Sequence, residues 1–113
     1  MPHPDYKDNP LWIDAMRLVR EAYALAERVR GEAPVASRRL RKAAVAVPAN
    51  IAGILHPDPE REAGDCAALA RGALAEIERQ VRLLAEAAGE EAGPLVRHAR
   101  RLATELVADE NVS

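Results

Sequence analysis

The chain has 113 residues, of which 49% are hydrophobic and 30% charged, while only 3% are aromatic. A net charge of −2 argues against a generally basic nucleic-acid binder, and the single cysteine excludes an internal disulfide or a multi-cysteine zinc site. Because the apolar content is largely alanine (24 residues), which favours helices but buries little area, we expect one all-helical domain, residues 1–113, that associates with other copies.

The start of the chain, MPHPDYKDNPLW, lacks the apolar run of a signal peptide. No later segment is apolar over the length that a membrane span requires. We therefore expect a cytoplasmic protein with no membrane partner.

The first predicted helix spans residues 10–30, between the cap Asn9 with Pro10 and the stop Gly31. Its apolar residues recur at spacings of three and four, which predicts one buried seam. A second apolar row lies beside this seam and indicates either an oligomer interface or a broadened internal core. This row consists of Leu11, Leu18 and Leu25.

The second predicted helix, residues 34–55, carries the basic sequence RRLRK at residues 38–42. Arg38 and Lys42 fall opposite the apolar seam, and Arg39 and Arg41 flank it, so a solvated helix face explains all four. Four cations in one turn nevertheless repel one another, and they need neighbouring acids or an anionic partner to offset this.

The same helix contains Pro48, which removes the hydrogen bond to the Ala44 carbonyl at a cost of about 3 kcal/mol. The apolar seam keeps its phase across the proline, so we predict a kinked helix that continues, with Asn50 bonded to a backbone group. A row of small and polar residues borders the core and would let a neighbouring helix approach closely; it consists of Arg39, Ala43, Ala46, Asn50 and Gly53.

The third and fourth helices are predicted at residues 59–88 and 94–108, with starts at Asp58-Pro59 and Gly93-Pro94 and a stop at Gly89. Both show the same three-and-four spacing of apolar residues. Short connections between consecutive helices favour antiparallel neighbours. The expected fold is an all-α, antiparallel up-down-up-down four-helix bundle.

Charge is unevenly distributed, with a net of +3 in residues 1–57 and −5 in residues 58–113. Arg97, Arg100 and Arg101 lie opposite the seam of the fourth helix. Together with the four cations of the second helix they form a candidate patch for anions or nucleic acid, able to contact phosphates without reading sequence. The acids of the third helix and the scarcity of aromatic residues weigh against such a patch.

No residue set indicates a catalytic, metal or cofactor site. His3, His56 and His98 share no metal-ligand spacing and are predicted to be surface residues, whereas Cys66 falls on the apolar seam of the third helix. The sequence contains no nucleophile elbow, phosphate-binding glycine loop or dinucleotide fingerprint. We therefore expect neither an enzyme nor a bound cofactor.

Three segments, LWIDAMRLVREAY, LRKAAVAVPANIAG and ARGALAEIE, resemble in order and spacing the four-helix bundle proteins encoded in intervening sequences of bacterial 23S ribosomal RNA genes. The resemblance runs from about residue 6 to residue 107. Positions that match the family pattern are Trp12, Arg41, Lys42, Pro48 and Asn50. The chain departs from the pattern at Arg39 (usually Gln), Ala46 (Ser), Gly53 (Glu) and Ala73 (Ser).

This resemblance implies an antiparallel four-helix bundle that assembles into a homopentamer. Most family members have no assigned activity. In a related branch, the accessory proteins of diversity-generating retroelements, the pentamer binds nucleic acid and a reverse transcriptase. Two functions follow as hypotheses. The first is a non-enzymatic oligomeric scaffold with an unidentified protein partner, which the acidic net charge favours, and the second is an accessory protein that binds the nucleic-acid backbone.

Overall fold

A computed structural model describes residues 6–56, 60, 62–84 and 92–112, and all regular structure within them is helical. A 3-10 turn, Tyr6–Asp8, precedes four α-helices: α1 (Pro10–Val29), α2 (Pro34–Leu55), α3 (Ala63–Leu83) and α4 (Ala92–Val112). The overall dimensions are 49 × 26 × 23 Å. The all-helical prediction is confirmed for these residues.

The first two helices begin and end where the sequence predicts, to within one residue. The Asn9 side chain accepts a hydrogen bond from the Leu11 amide at 2.8 Å, and Pro10 occupies the first turn. Helix α2 begins at Pro34 without a side-chain cap and ends with His56 as its C-cap residue. Pro10 and Pro34 cost no hydrogen bond at these positions, because the first N–H groups of a helix have no partner within the helix.

Helix α2 continues through Pro48, as the unbroken apolar seam predicts. Asn50 donates a hydrogen bond from Nδ2 to the carbonyl oxygen of Ala46 at 2.8 Å, which confirms a backbone partner for this amide. Pro48 is itself buried, so its ring contributes to the core while its missing N–H leaves the Ala44 carbonyl without its usual helical donor.

Helix α3 begins at Ala63 rather than at residue 59. Glu62 precedes the helix in an extended conformation, with φ −77° and ψ 141°. Both Glu60 and Glu62 are exposed, so another turn here would bury nothing to offset the cost of ordering it. Pro59, Arg61 and the predicted end at residues 85–89 lie outside the described residues.

Helix α4 begins at least two residues before the predicted start and extends to Val112. Ala92 is buried and Pro94 still falls in the first turn, where its missing N–H costs no hydrogen bond. The helix therefore includes Gly93 and Pro94 instead of beginning at them.

Each helix packs on two others: α1 on α2 and α4, and α3 on α2 and α4. Helices α2 and α4 do not pack closely on each other and thus lie at opposite corners. Leu18 and Leu25 are 0% and 5% exposed within the single chain, and Leu11 packs against the same core. Leu18 and Leu25 therefore broaden the internal core, which is the second of the two interpretations of this row, and they have almost no area left to offer to another copy.

Candidate interaction surface

The basic segment of α2 carries charges that nothing within the described residues neutralises. Arg38, Arg39 and Lys42 are exposed and Arg41 is half-buried. No salt bridge joins any of these four side chains to a described carboxylate. Their mutual repulsion within one turn is thus not offset by the described part of the protein.

The cations of α4 are in a different situation. Arg100 donates from Nε to Glu78 Oε1 of α3 at 3.1 Å and also through Nη2, while Arg101 lies 3.7 Å from Asp14 Oδ2 of α1. The hydrogen bond from Arg100 lowers the pKa of Glu78 and raises that of Arg100. Two of the three predicted patch residues in α4 therefore already have partners, and Arg97 remains exposed.

The seven predicted cations do not form one patch. Four lie on α2 and three on α4, and these helices occupy opposite corners of the molecule, each between α1 and α3. The structure separates the set into a group on α2 that has no ion pair with the described carboxylates and a largely paired group on α4.

An open groove of about 450 Å³ lies between α2 and α3. Its lining comes from the predicted small-residue row of α2 and from one side of α3, and consists of Arg39, Lys42, Ala43, Ala46, Ala73, Glu76 and Arg79. The predicted close approach is confirmed further along the same row, since a Cβ added at Gly53 would lie 2.6 Å from Cys66 Sγ.

The groove has a net positive character. Its one carboxylate, Glu76, lies 3.3 Å from Arg79 Nε and accepts a 2.7 Å hydrogen bond from Gln80. Arg39 and Lys42 on the opposite wall have no such partner among the described residues. The groove thus offers two cations that no described carboxylate neutralises, above a floor of alanine methyl groups.

Among the described residues, a polar cluster that the sequence analysis does not predict joins α1 to α4. His98 is 5% exposed, with Nδ1 2.9 Å from Glu21 Oε1 and Nε2 2.9 Å from Asp14 Oδ1. Each ring nitrogen of His98 thus lies within hydrogen-bonding distance of a carboxylate of α1. The prediction that His98 is a surface residue is wrong; the available signal was Asp14 and Glu21, seven residues apart on one side of α1.

The groove and the polar cluster do not include Cys66, Trp12 or His56, which were also noted in the sequence analysis. Cys66 is a free, buried thiol, as its place on the seam predicts. Trp12 is half-buried and makes an edge contact with the Tyr6 ring at a centroid distance of 5.8 Å. His56 is exposed, as predicted, at the end of α2, and His3 lies outside the described residues.

A second open groove, near the start of α1, is lined by Asn9, Pro10, Leu11, Asp14, Arg17 and Glu105. Its lining carries both positive and negative charges, so it favours neither an anionic nor a cationic ligand. Within the described residues, no group of three or more His, Cys, Asp or Glu side chains is arranged to hold a metal ion.

Comparison with models of known families, with curated proteins and with solved structures finds no match to this chain. In the part of the chain that the structure describes, no helix has both the length and the apolar character needed to cross a membrane.

Proposed function

We propose that this protein is a non-enzymatic, oligomeric four-helix bundle that serves as an interaction scaffold. The observation that carries the proposal is the number of large apolar side chains left uncovered in the single chain. Where such side chains lie together on a surface, a second copy or another protein typically covers them. The exposed residues are Ile13, Tyr23, Val35, Val45, Leu69, Leu83 and Val107.

Contacts near the helix ends support an antiparallel, up-down-up-down arrangement. Ser37, early in α2, donates to the carbonyl oxygen of Ala26, late in α1, at 2.7 Å. Gly53, late in α2, lies against Cys66, early in α3. Successive helices that meet end to start in this way run in opposite directions.

The positions of the most reactive side chains support a non-enzymatic role. Both ring nitrogens of His98 face carboxylates that hold α1 against α4, and the Cys66 thiol is buried. These groups stabilise the packing of the helices instead of facing a space where a substrate could bind.

The resemblance to the intervening-sequence proteins extends the proposal to a bacterial, cytoplasmic homopentamer. Light scattering behind size exclusion at micromolar concentration tests it. A mass near five times the 12.3 kDa of one chain is expected. A stable monomer would overturn the oligomeric part of the proposal.

The second candidate, binding of the nucleic-acid backbone, is favoured by one observation: the cations of α2 have no ion pair with any described carboxylate. We expect such binding to be weak at physiological salt, because two of the three α4 cations already have acidic partners. If α2 does contact phosphates, affinity will fall with salt at a slope of about −0.9 per phosphate neutralised, and Arg38→Glu with Lys42→Glu will flatten it. Tight binding with a steep slope would put this candidate first.

A further inference from the structure

The two most exposed of the large apolar residues in the described part of the chain lie on α3. Leu69 is 55% exposed and Leu83 is 69% exposed. Each is seven residues from Glu76, which lines the α2–α3 groove, so all three share one side of the helix. The α3 wall of the groove is therefore extended at both ends by an exposed leucine.

The α2 wall has a matching pattern. Val35 is exposed and lies four residues before Arg39, in line with Lys42 and Ala46 at helical spacing. Along this wall the exposed Val35 is followed by two cations, Arg39 and Lys42, which have no ion pair with the described residues. Ala43 and Ala46 of the floor come next. Apolar groups and uncompensated positive charge occur together along the same groove.

We infer that this groove, with Val35, Leu69 and Leu83, is a docking site for an acidic amphipathic helix of a partner protein. Leu69 and Leu83 are 14 residues apart, which is about 21 Å at 1.5 Å per residue, so a helix of about four turns spans the site. Alanines on the floor allow close approach of a second backbone, and carboxylates beside the apolar stripe of the incoming helix would pair with Arg39 and Lys42.

The same observations favour a protein over a nucleic acid. Exposed leucines and a valine contribute nothing to contacts with phosphate, whereas they supply the apolar contacts that a helix in a groove requires. The inference rests on the proposed scaffold function and specifies the partner's chemistry.

A labelled helical peptide tests this site. The probe has about 18 residues, with leucines at spacings of three and four and glutamates beside them, and its anisotropy is measured with the full-length protein at about 0.15 M salt. We expect micromolar binding that weakens more than about tenfold in Arg39→Glu/Lys42→Glu and also in Leu69→Ser/Leu83→Ser. Arg20→Glu/Arg97→Glu is the matched control, since it changes net charge equally at exposed positions outside the groove, and we expect less than about a threefold effect.

Three results would overturn the inference: no binding, equal binding of a peptide with lysines in place of the glutamates, or binding unaffected by the leucine substitutions. A DNA duplex of about 20 base pairs that binds more tightly than the peptide, with no effect of the leucine changes, would assign the groove to nucleic acid. Light scattering on the same samples separates the two proposals. An oligomer that ignores the peptide refutes the docking site alone, and a monomer that binds it refutes only the oligomer.

Discussion

The two sides of the molecule are held together by different means. Where α2 meets α3, small residues allow close packing, with Gly53 against Cys66 and alanines lining the adjoining groove. Where α1 meets α4, the helices approach less closely and His98 bridges two carboxylates of α1. One side depends on steric fit, and the other depends on charge.

The two sides also differ in whether their cations form ion pairs within the protein. On the α1–α4 side, Arg101 also lies near Asp14, so the cations contribute to the fold. The close-packed α2–α3 side presents few acids, and Arg39 and Lys42 stay unpaired within the described residues. The cations that the fold does not use are those available to a partner.

The largest effect is expected from placing a carboxylate in the core at Leu18 of α1. Leu18→Glu should abolish the cooperative unfolding transition, because Leu18 is completely buried and an unpaired charge there is very costly. Circular dichroism against temperature measures this. Ala24→Glu, at an exposed position of the same helix that is not one of the uncovered large apolar residues, should change stability by no more than about 0.5 kcal/mol. If the Leu18→Glu protein stays folded and only the oligomer dissociates, Leu18 lies at an oligomer interface and the prediction fails.

The charged contact between α1 and α4 is tested by His98→Ala. Removing the ring leaves Asp14 and Glu21 without the His98 contacts that join α1 to α4, so unfolding in urea should show a loss of about 2 kcal/mol. Arg97→Ala on the same helix removes an exposed cation and should have an effect within about 0.5 kcal/mol. Equal stabilities for the two variants would mean that the His98 contacts do not hold these helices together.

The steric contact between α2 and α3 is tested by a pair of glycines. Alanine in place of glycine within a helix raises the free energy of unfolding by about 1 kcal/mol. Gly72→Ala should show much of this gain because no other group lies within 4 Å of the added methyl. Gly53→Ala should instead destabilise by about 1 kcal/mol, because its methyl would overlap Cys66 Sγ.

A second substitution separates overlap from other causes. If the cost of Gly53→Ala comes from the thiol, Cys66→Ala in the same chain should recover most of it, measured as a coupling in a double-mutant cycle. Stabilisation by Gly53→Ala alone, to the same extent as Gly72→Ala, would show that the helices are not in close contact here.

The smallest effect is expected at low pH, from the contact that joins α3 to α4. Glu78 accepts hydrogen bonds from Arg100 and Arg82, and the bond from Arg100 lowers its folded-state pKa below the ordinary value of 4.5. The stability that this contributes is fully present above pH 4.5 and is lost as the pH falls through the folded-state pKa. Glu78→Gln should flatten the decline in stability below that pH. Glu27→Gln, an exposed carboxylate, is the control, and identical acid profiles for wild type and Glu78→Gln would contradict the prediction.

Local patterns in the sequence were sufficient for the helices that have clear signals at both ends. Asn9 with Pro10 and Pro34 with His56 mark α1 and α2, because caps and prolines act within a few residues of themselves. The predicted start of α3 at residue 59 is wrong, since the helix begins at Ala63. A proline that is suited to a helix start cannot extend the helix through residues that bury nothing. The row on α2 that approaches its neighbour was also found, since small residues at helical spacing are visible without coordinates.

By itself the sequence determined the helical class, the seam of each helix and the continuation of α2 through Pro48, since spacing along one helix decides all three. Only the tertiary structure decided which helices meet. That arrangement placed α2 and α4 at opposite corners and divided the seven cations, buried Leu18 and Leu25 in the protein's own core, and brought His98 between Asp14 and Glu21. These pairings join residues 77 and 84 positions apart in the chain, and no local pattern specifies which face of one helix will oppose which face of another.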